Sequence, residues 1–78
     1  TNTAVGVQAL NSITSGSQNT GSGYQALFTT NSGAANTAIG NRALRANGIG
    51  SNNIAIGRDS MLVSLYGTKN LAIGNNTI

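Results

Sequence analysis

The chain has 78 residues, no cysteine, no histidine and very few charges, with four Lys or Arg against one acidic residue and a net charge of +3. This composition excludes disulfide staples, Ser-His-Asp or Cys-His catalysis and the usual zinc ligand sets. A lone chain of this size buries only about 60% of its surface, so we expect neighbouring repeats, other copies of the chain, or both to supply stability.

One pattern recurs along the whole chain, starting with an asparagine and carrying a glycine four residues later. The starting asparagines are 17 residues apart, without insertion or deletion: Asn2, Asn19, Asn36, Asn53 and Asn70. We number repeat positions from this asparagine and call the repeats coils one to five. A constant short period predicts a single β-solenoid segment over residues 1–78. Residue 1 ends a preceding repeat and Ile78 lies inside coil five, so we expect a longer array.

Two glycine columns share this period. The first lies at position 5: Gly6, Gly23, Gly40, Gly57 and Gly74. The second lies at position 15: Gly16, Gly33, Gly50 and Gly67. Because glycine reaches positive φ without steric cost, we expect a tight corner at both columns. The asparagine at position 1 can bond its own backbone at a turn and form a ladder with the next asparagine.

Each coil holds two short apolar runs, which we predict to be strands of a parallel solenoid. The first covers positions 2 to 4 and reads Thr-Ala-Val, Thr-Gly-Ser, Thr-Ala-Ile, Ile-Ala-Ile and Leu-Ala-Ile in chain order. The second covers positions 8 and 9, as in Ala43-Leu44. Coil two has Gly21 and Ser22 in place of larger apolar residues, so its first strand should be the weakest. Residues 60–66 fit a helical turn or a longer strand, and the continuing register favours the strand.

Positions 3 and 4 of the first run point to opposite faces of a strand, and both are mostly apolar. One face must line the inside of the coil, and the other must be covered by something else, as in buried parallel sheets. Since nothing else in the chain is large enough, we infer another copy of the chain. The residues predicted to be buried are Val5, Ile39, Ile56, Ile73, Leu10, Leu27, Leu44 and Met61.

The most regular part of the repeat is the sequence Asn-x-Ala-Ile-Gly, present at 36–40, 53–57 and 70–74. It resembles the head repeat of YadA-type trimeric autotransporter adhesins. The resemblance implies a left-handed parallel β-roll, a homotrimer, and an extracellular, adhesive role on a bacterial cell or virion surface. The fuller form at 2–10 and 36–44 is also similar to repeats in bacteriophage tail fibres, so a shaft or receptor-binding segment of such a fibre is the alternative.

Catalytic chemistry finds little support in these residues. The single carboxylate, Asp59, cannot form an acid/base pair within one chain, so we expect no enzyme, cofactor or metal site. The basic residues lack the clusters with aromatic partners that nucleic-acid binding requires. No apolar run approaches the ~20 residues of a membrane helix. Neither nucleic acid nor direct membrane insertion is therefore expected.

Four residues are candidate ligand contacts. Tyr24 could stack on a sugar, although packing at a subunit boundary is the favoured interpretation. Arg42, Arg45 and Arg58 could contact an acidic glycan or matrix protein of a host, although a solvated face is favoured. Because Arg42 and Asp59 share position 7, we expect an exposed ion pair between adjacent coils. Arg45 is expected to be an ordinary surface residue.

A remote alternative comes from the threonines at position 2. Thr3, Thr20 and Thr37 would form a flat array of the kind that binds ice. Ile54 and Leu71 interrupt the column, and strands that are apolar on both faces are better explained by burial.

Overall fold

The computed structural model describes residues 1–11, 16–28, 32–46, 49–61 and 68–76. Within them, positions 2 to 4 of each coil form a short strand. The strands are β1 Thr3–Val5, β2 Thr20–Ser22, β3 Thr37–Ile39, β4 Ile54–Ile56 and β5 Leu71–Ile73. They make one parallel sheet in the order β1-β2-β3-β4-β5, and each residue lies opposite the residue 17 positions further on. The predicted all-β solenoid is confirmed, and the described residues contain no helix.

The second apolar run forms a turn, so the prediction of a second strand there is wrong. In coil two the N–H of Ala26 donates to the carbonyl of Gly23 at 3.3 Å, and equivalent bonds recur in coils one, three and four. Leu27 has a φ of 52°, which an extended strand does not allow. Ser60 and Met61 lie in the corresponding turn. The remainder of the stretch for which a longer strand was favoured, residues 62–66, lies outside the described residues.

Backbone hydrogen bonds join the coils well beyond the three-residue strands. The N–H of Arg42 at position 7 donates back to the carbonyl of Tyr24 at 2.7 Å. The N–H of Leu27 at position 9 donates forward to the carbonyl of Ala43 at 3.0 Å. The turns are therefore stacked coil on coil, like the strands, and buried backbone groups find partners without long strands.

The interior of the solenoid is narrow and is filled mainly by alanine and leucine. The buried apolar residues come from positions 3, 8 and 9: Leu10, Ala26, Leu27, Ala38, Ala43, Leu44, Ala55, Met61 and Ala72. The alanine side of each strand is therefore the inward side. Burial of the predicted position 9 residues is confirmed.

Within the single chain, position 4 is not buried, so its predicted burial depends on contact with another copy of the chain. Val5, Ile39 and Ile73 are exposed and Ile56 is half-buried. Their side chains point away from the interior, because the small residue at position 3 takes the inward place in a strand whose side chains alternate.

A column of buried asparagines runs beside the alanine core. Asn19, Asn36 and Asn53 are at most 1% exposed. Asn19 Oδ1 accepts both the N–H and the Nδ2 of Asn36, at 3.0 and 3.1 Å. Asn36 Nδ2 also donates to the carbonyl of Gly50 in its own coil at 2.8 Å. The predicted asparagine ladder is confirmed, and it satisfies amides that would be costly to bury unpaired.

The two glycine columns are required for different reasons. Gly40 at position 5 has a φ of 130°, and a Cβ there would lie 2.7 Å from the backbone of Gly57, so the expected tight corner is confirmed. Gly16 at position 15 lies outside the left-handed region, so the same expectation is wrong there. A Cβ on Gly16 would instead collide with the carbonyl oxygen of Gly33. Close approach of successive coils is what excludes a side chain at position 15.

Left-handed backbone also recurs at positions 7, 9 and 17, in residues that are not glycine. They are Gln8, Leu10, Gln18, Gln25, Leu27, Ala35, Arg42, Leu44, Asn52, Asp59, Met61, Lys69 and Asn76. An L-residue pays roughly 1 kcal/mol or more for this conformation. Position 17 thus places a left-handed residue directly before Asn19, Asn36, Asn53 and Asn70, two residues after the glycine column where a corner was expected.

Removing one internal asparagine should be far more damaging than removing the last one. We expect Asn36→Ala to lower the free energy of unfolding by about 3 kcal/mol, because several hydrogen bonds are lost and buried partners remain unpaired. The control is Asn70→Ala, at the exposed end of the same column, which should cost about 1 kcal/mol. Urea denaturation measures both, and equal costs would contradict the role assigned to the ladder.

Glycine at a left-handed position should stabilise the fold. We expect Ala35→Gly, at a φ of 59°, to raise the free energy of unfolding by about 0.5–1 kcal/mol. The neighbouring Ala34→Gly should lower it by about 0.5–1 kcal/mol, because glycine relieves no left-handed backbone strain at that position. Thermal unfolding of the two variants would contradict this account if their melting temperatures moved in the same direction.

Candidate functional site

The outer side of the sheet is formed by the side chains at positions 2 and 4, which we call the outward face. It consists of Thr3, Val5, Thr20, Ser22, Thr37, Ile39, Ile54, Ile56, Leu71 and Ile73. None of these residues is charged. Val5, Leu71 and Ile73 are 62%, 66% and 64% exposed. The face is therefore an uncharged surface on which several large apolar side chains meet solvent.

The chemistry of the outward face changes along the solenoid. Position 2 is threonine in coils one to three, and Ile54 and Leu71 replace it in coils four and five. Thr3 and Thr20 are exposed, whereas Thr37 is half-buried. At position 2, the first three coils thus carry hydroxyl groups and the last two carry aliphatic side chains. The threonine array considered for ice binding extends over three strands only.

A corner column at position 6 borders the outward face, just past the first glycine column. Its members are Val7, Tyr24, Asn41, Arg58 and Asn75, and all are exposed. Tyr24 is 46% exposed and its ring is accessible to a ligand from outside the chain. Arg58 lies two coils further along the same column. Two of the four candidate ligand contacts therefore share one edge of the molecule.

The predicted pair between Arg42 and Asp59 is present, but it is less exposed than expected. Arg42 Nη2 donates to Asp59 Oδ2 at 3.0 Å, and Arg42 Nε lies 2.8 Å from Asp59 Oδ1 without good hydrogen-bond alignment. The Asp59 side chain is only 12% exposed, against 43% for Arg42. The sole carboxylate of the chain is thus tied to a structural partner.

Arg45 is more than the ordinary surface residue that was expected. Its guanidinium carbon lies 5.5 Å from the centre of the Phe28 ring, within reach of a cation–π contact. Its Nε also donates to Gln25 Oε1 at 2.9 Å. Phe28 and Arg45 both occupy position 10, so the 17-residue period was a signal from which this contact could have been found.

The described residues contain no group of three or more His, Cys, Asp or Glu side chains that could hold a metal ion. Over the same parts of the chain, no helix has the length and apolar character needed to cross a membrane.

Comparison with known proteins gives no relative: no family model, no curated protein and no solved structure matches the chain.

The contacts of Arg45 should be measurable as stability. We expect Arg45→Ala to lower the free energy of unfolding by about 1 kcal/mol, since a cation–π contact and a hydrogen bond are lost. Arg58→Ala, the control on an exposed arginine, should change it by less than about 0.5 kcal/mol. Urea denaturation in which both variants behaved alike would show that the Phe28 and Gln25 contacts contribute nothing.

Proposed function

We propose that this chain is a non-enzymatic, structural and adhesive segment of a trimeric surface fibre, assembled through its outward face. The observation that carries the proposal is the ten-residue face itself. It lacks any charge and leaves Val5, Leu71 and Ile73 more than 60% exposed. A soluble chain rarely keeps such a patch open to water, and a patch of this kind usually marks an interface.

The nature of the sheet supports a partner of the same kind. Parallel sheets are normally covered on both sides, and here the interior of the coil covers only one. A second copy of the chain brings the same uncharged surface, so no buried charge opposes the contact. Symmetric self-association is also the commonest form of oligomer in soluble proteins. The three-fold count and the left-handed coil come from the resemblance to adhesin head repeats.

Adhesion would then fall to the residues that assembly leaves outside. The corner column at position 6 borders the face, with Tyr24 as a ring for a sugar and Arg58 as a cation for an acidic glycan or matrix protein. Arg42 and Arg45 are already held by Asp59 and by the Phe28 and Gln25 side chains, which makes them weaker candidates. The fibre would stand at a bacterial cell or virion surface, outside the cell.

A shaft or receptor-binding segment of a bacteriophage tail fibre is the second candidate. It is favoured by the fuller motif at 2–10 and 36–44, where the Ala-Leu pair at positions 8 and 9 supplies core residues. Both candidates would assemble in the same way, through the outward face. The full-length gene distinguishes them, because an autotransporter carries a membrane-anchoring barrel and a tail fibre need not.

Placing a charge on the outward face should abolish assembly without unfolding the coil. We expect wild-type protein to sediment as one species with three times the 7.8 kDa chain mass, and Ile39→Asp as a monomer. The reason is the high cost of burying an unpaired charge in the interface. Analytical ultracentrifugation over a concentration series measures this, with circular dichroism to verify the fold.

The matched control is Asn11→Asp, which adds the same charge at an exposed position away from the outward face. It should assemble like the wild type. A wild-type chain that stays monomeric at all concentrations, or an Ile39→Asp variant that assembles normally, would contradict the proposal.

A further inference from the structure

Coil two differs from the other coils on the outward face, because it contributes only hydroxyl-bearing side chains there. Its positions 2 and 4 are Thr20 and Ser22, which we call the polar rung. Every other coil contributes at least one large aliphatic side chain to these two positions: Val5 in coil one, Ile39 in coil three, and a pair of them in each of coils four and five. The polar rung therefore interrupts the apolar column of position 4 at one height only.

The polar rung is also a notch in the face. Ser22 is paired with Val5 on one side and with Ile39 on the other. Val5 and Ile39 are 62% and 43% exposed, whereas Ser22 is half-buried. Among the described residues, neither hydroxyl group of the rung is hydrogen-bonded within its own chain. Both hydroxyl groups are thus available to a partner.

The unusual sequence of coil two leaves its backbone and its core in place. The strand β2 pairs with β1 and β3 in the same register as all the other strands, although its sequence predicts the weakest strand. Inside the coil, the Leu10 side chain fills the space beside Gly21, because a Cβ on this glycine would lie 3.5 Å from Leu10 Cγ. The polar rung therefore changes the outward surface of the coil and leaves the interior filled.

Assembly through the outward face makes the height of the polar rung important. When two copies are aligned, coils of the same number meet, and each hydroxyl group meets others that both donate and accept hydrogen bonds. A shift of one coil would instead bury Ser22 against Val5 or Ile39 of the neighbour, and a buried hydroxyl group without a partner is costly. Contacts between hydrocarbon side chains alone are non-directional and would distinguish these arrangements poorly.

We propose that the polar rung selects the partner and fixes the register of assembly. Copies of this chain associate where Thr20 and Ser22 of one copy lie level with Thr20 and Ser22 of the others, and the hydroxyl groups of each copy complete the hydrogen bonds of the next. This inference rests on the proposed assembly through the outward face. A single polar position in an otherwise apolar interface fixes register in coiled coils in the same way. The partner that fits is a second copy of this chain.

Moving the polar rung by one coil tests the proposal. The double variant Ser22→Ile with Ile39→Ser exchanges the two side chains, so the composition of the outward face is unchanged and threonine still lies at position 2 of both coils. The wild type and the double variant should each form trimers alone. After the two are unfolded together and refolded, with one of them isotope-labelled, native mass spectrometry counts the mixed trimers. We expect these to be about tenfold rarer than random combination gives, because they would bury unpaired hydroxyl groups.

The matched control is Ser22→Thr, which keeps a hydroxyl group at the same height. Refolded with the wild type, it should form mixed trimers at the random frequency. Circular dichroism verifies the fold of each variant. Should the double variant fail to fold, Ser22→Ile alone replaces it, and its mixed trimers with the wild type should also fall below the random frequency, since the wild-type hydroxyl group would face isoleucine.

This proposal and the proposed function fail separately. A wild-type chain that stays monomeric at all concentrations would overturn both. Trimers of the wild type and the double variant that mix at the random frequency would overturn the role of the polar rung and leave the outward-face interface standing. Rare mixing in the Ser22→Thr control would also overturn that role, because exclusion would then not depend on the hydroxyl group.

Discussion

The buried asparagine ladder is the constraint on which the rest of the structure depends. Each inner carboxamide is buried and finds its partners in the same group one coil away and in a glycine carbonyl of its own coil. An amide buried there without those partners would lower the free energy of unfolding, because its polar groups would have lost water without gaining a hydrogen bond. The uninterrupted spacing of 17 residues places each asparagine within hydrogen-bonding distance of the asparagine of the next coil.

The remaining columns follow from how thin the coil is. Alanine at positions 3 and 8 allows the strand and the turn to approach, and glycine at position 15 allows successive backbones to come within contact of each other. The left-handed residues at positions 7, 9 and 17 close the coil in few residues and carry a conformational cost. The bonds between stacked turns offset that cost, which makes stability a property of neighbouring coils rather than of any single one.

Periodicity predicted the repeat, the parallel strands, the asparagine ladder and the stacking of Arg42 on Asp59, because each is a relation between residues 17 apart. It could not predict conformation inside the coil. Ala43-Leu44 is as apolar as a strand, yet the leucine adopts a left-handed turn that residue type does not indicate. Which strand face points inward could not be told from the sequence because both faces are apolar, and only the narrow interior favours alanine over isoleucine. The comparison of position 10 across coils would have found Phe28 beneath Arg45.

The change from threonine to isoleucine and leucine along the outward face gives the molecule a direction. Where two such faces overlap fully, the aliphatic side chains at position 2 meet one another when both chains run the same way, and this removes the most apolar area from water at that position. In an antiparallel arrangement, the aliphatic coils of one chain would cover the threonine hydroxyl groups of the other. Those hydroxyl groups would lose their water without gaining replacement hydrogen bonds. A bundle built on this surface would therefore be polar, with all of its amino ends together.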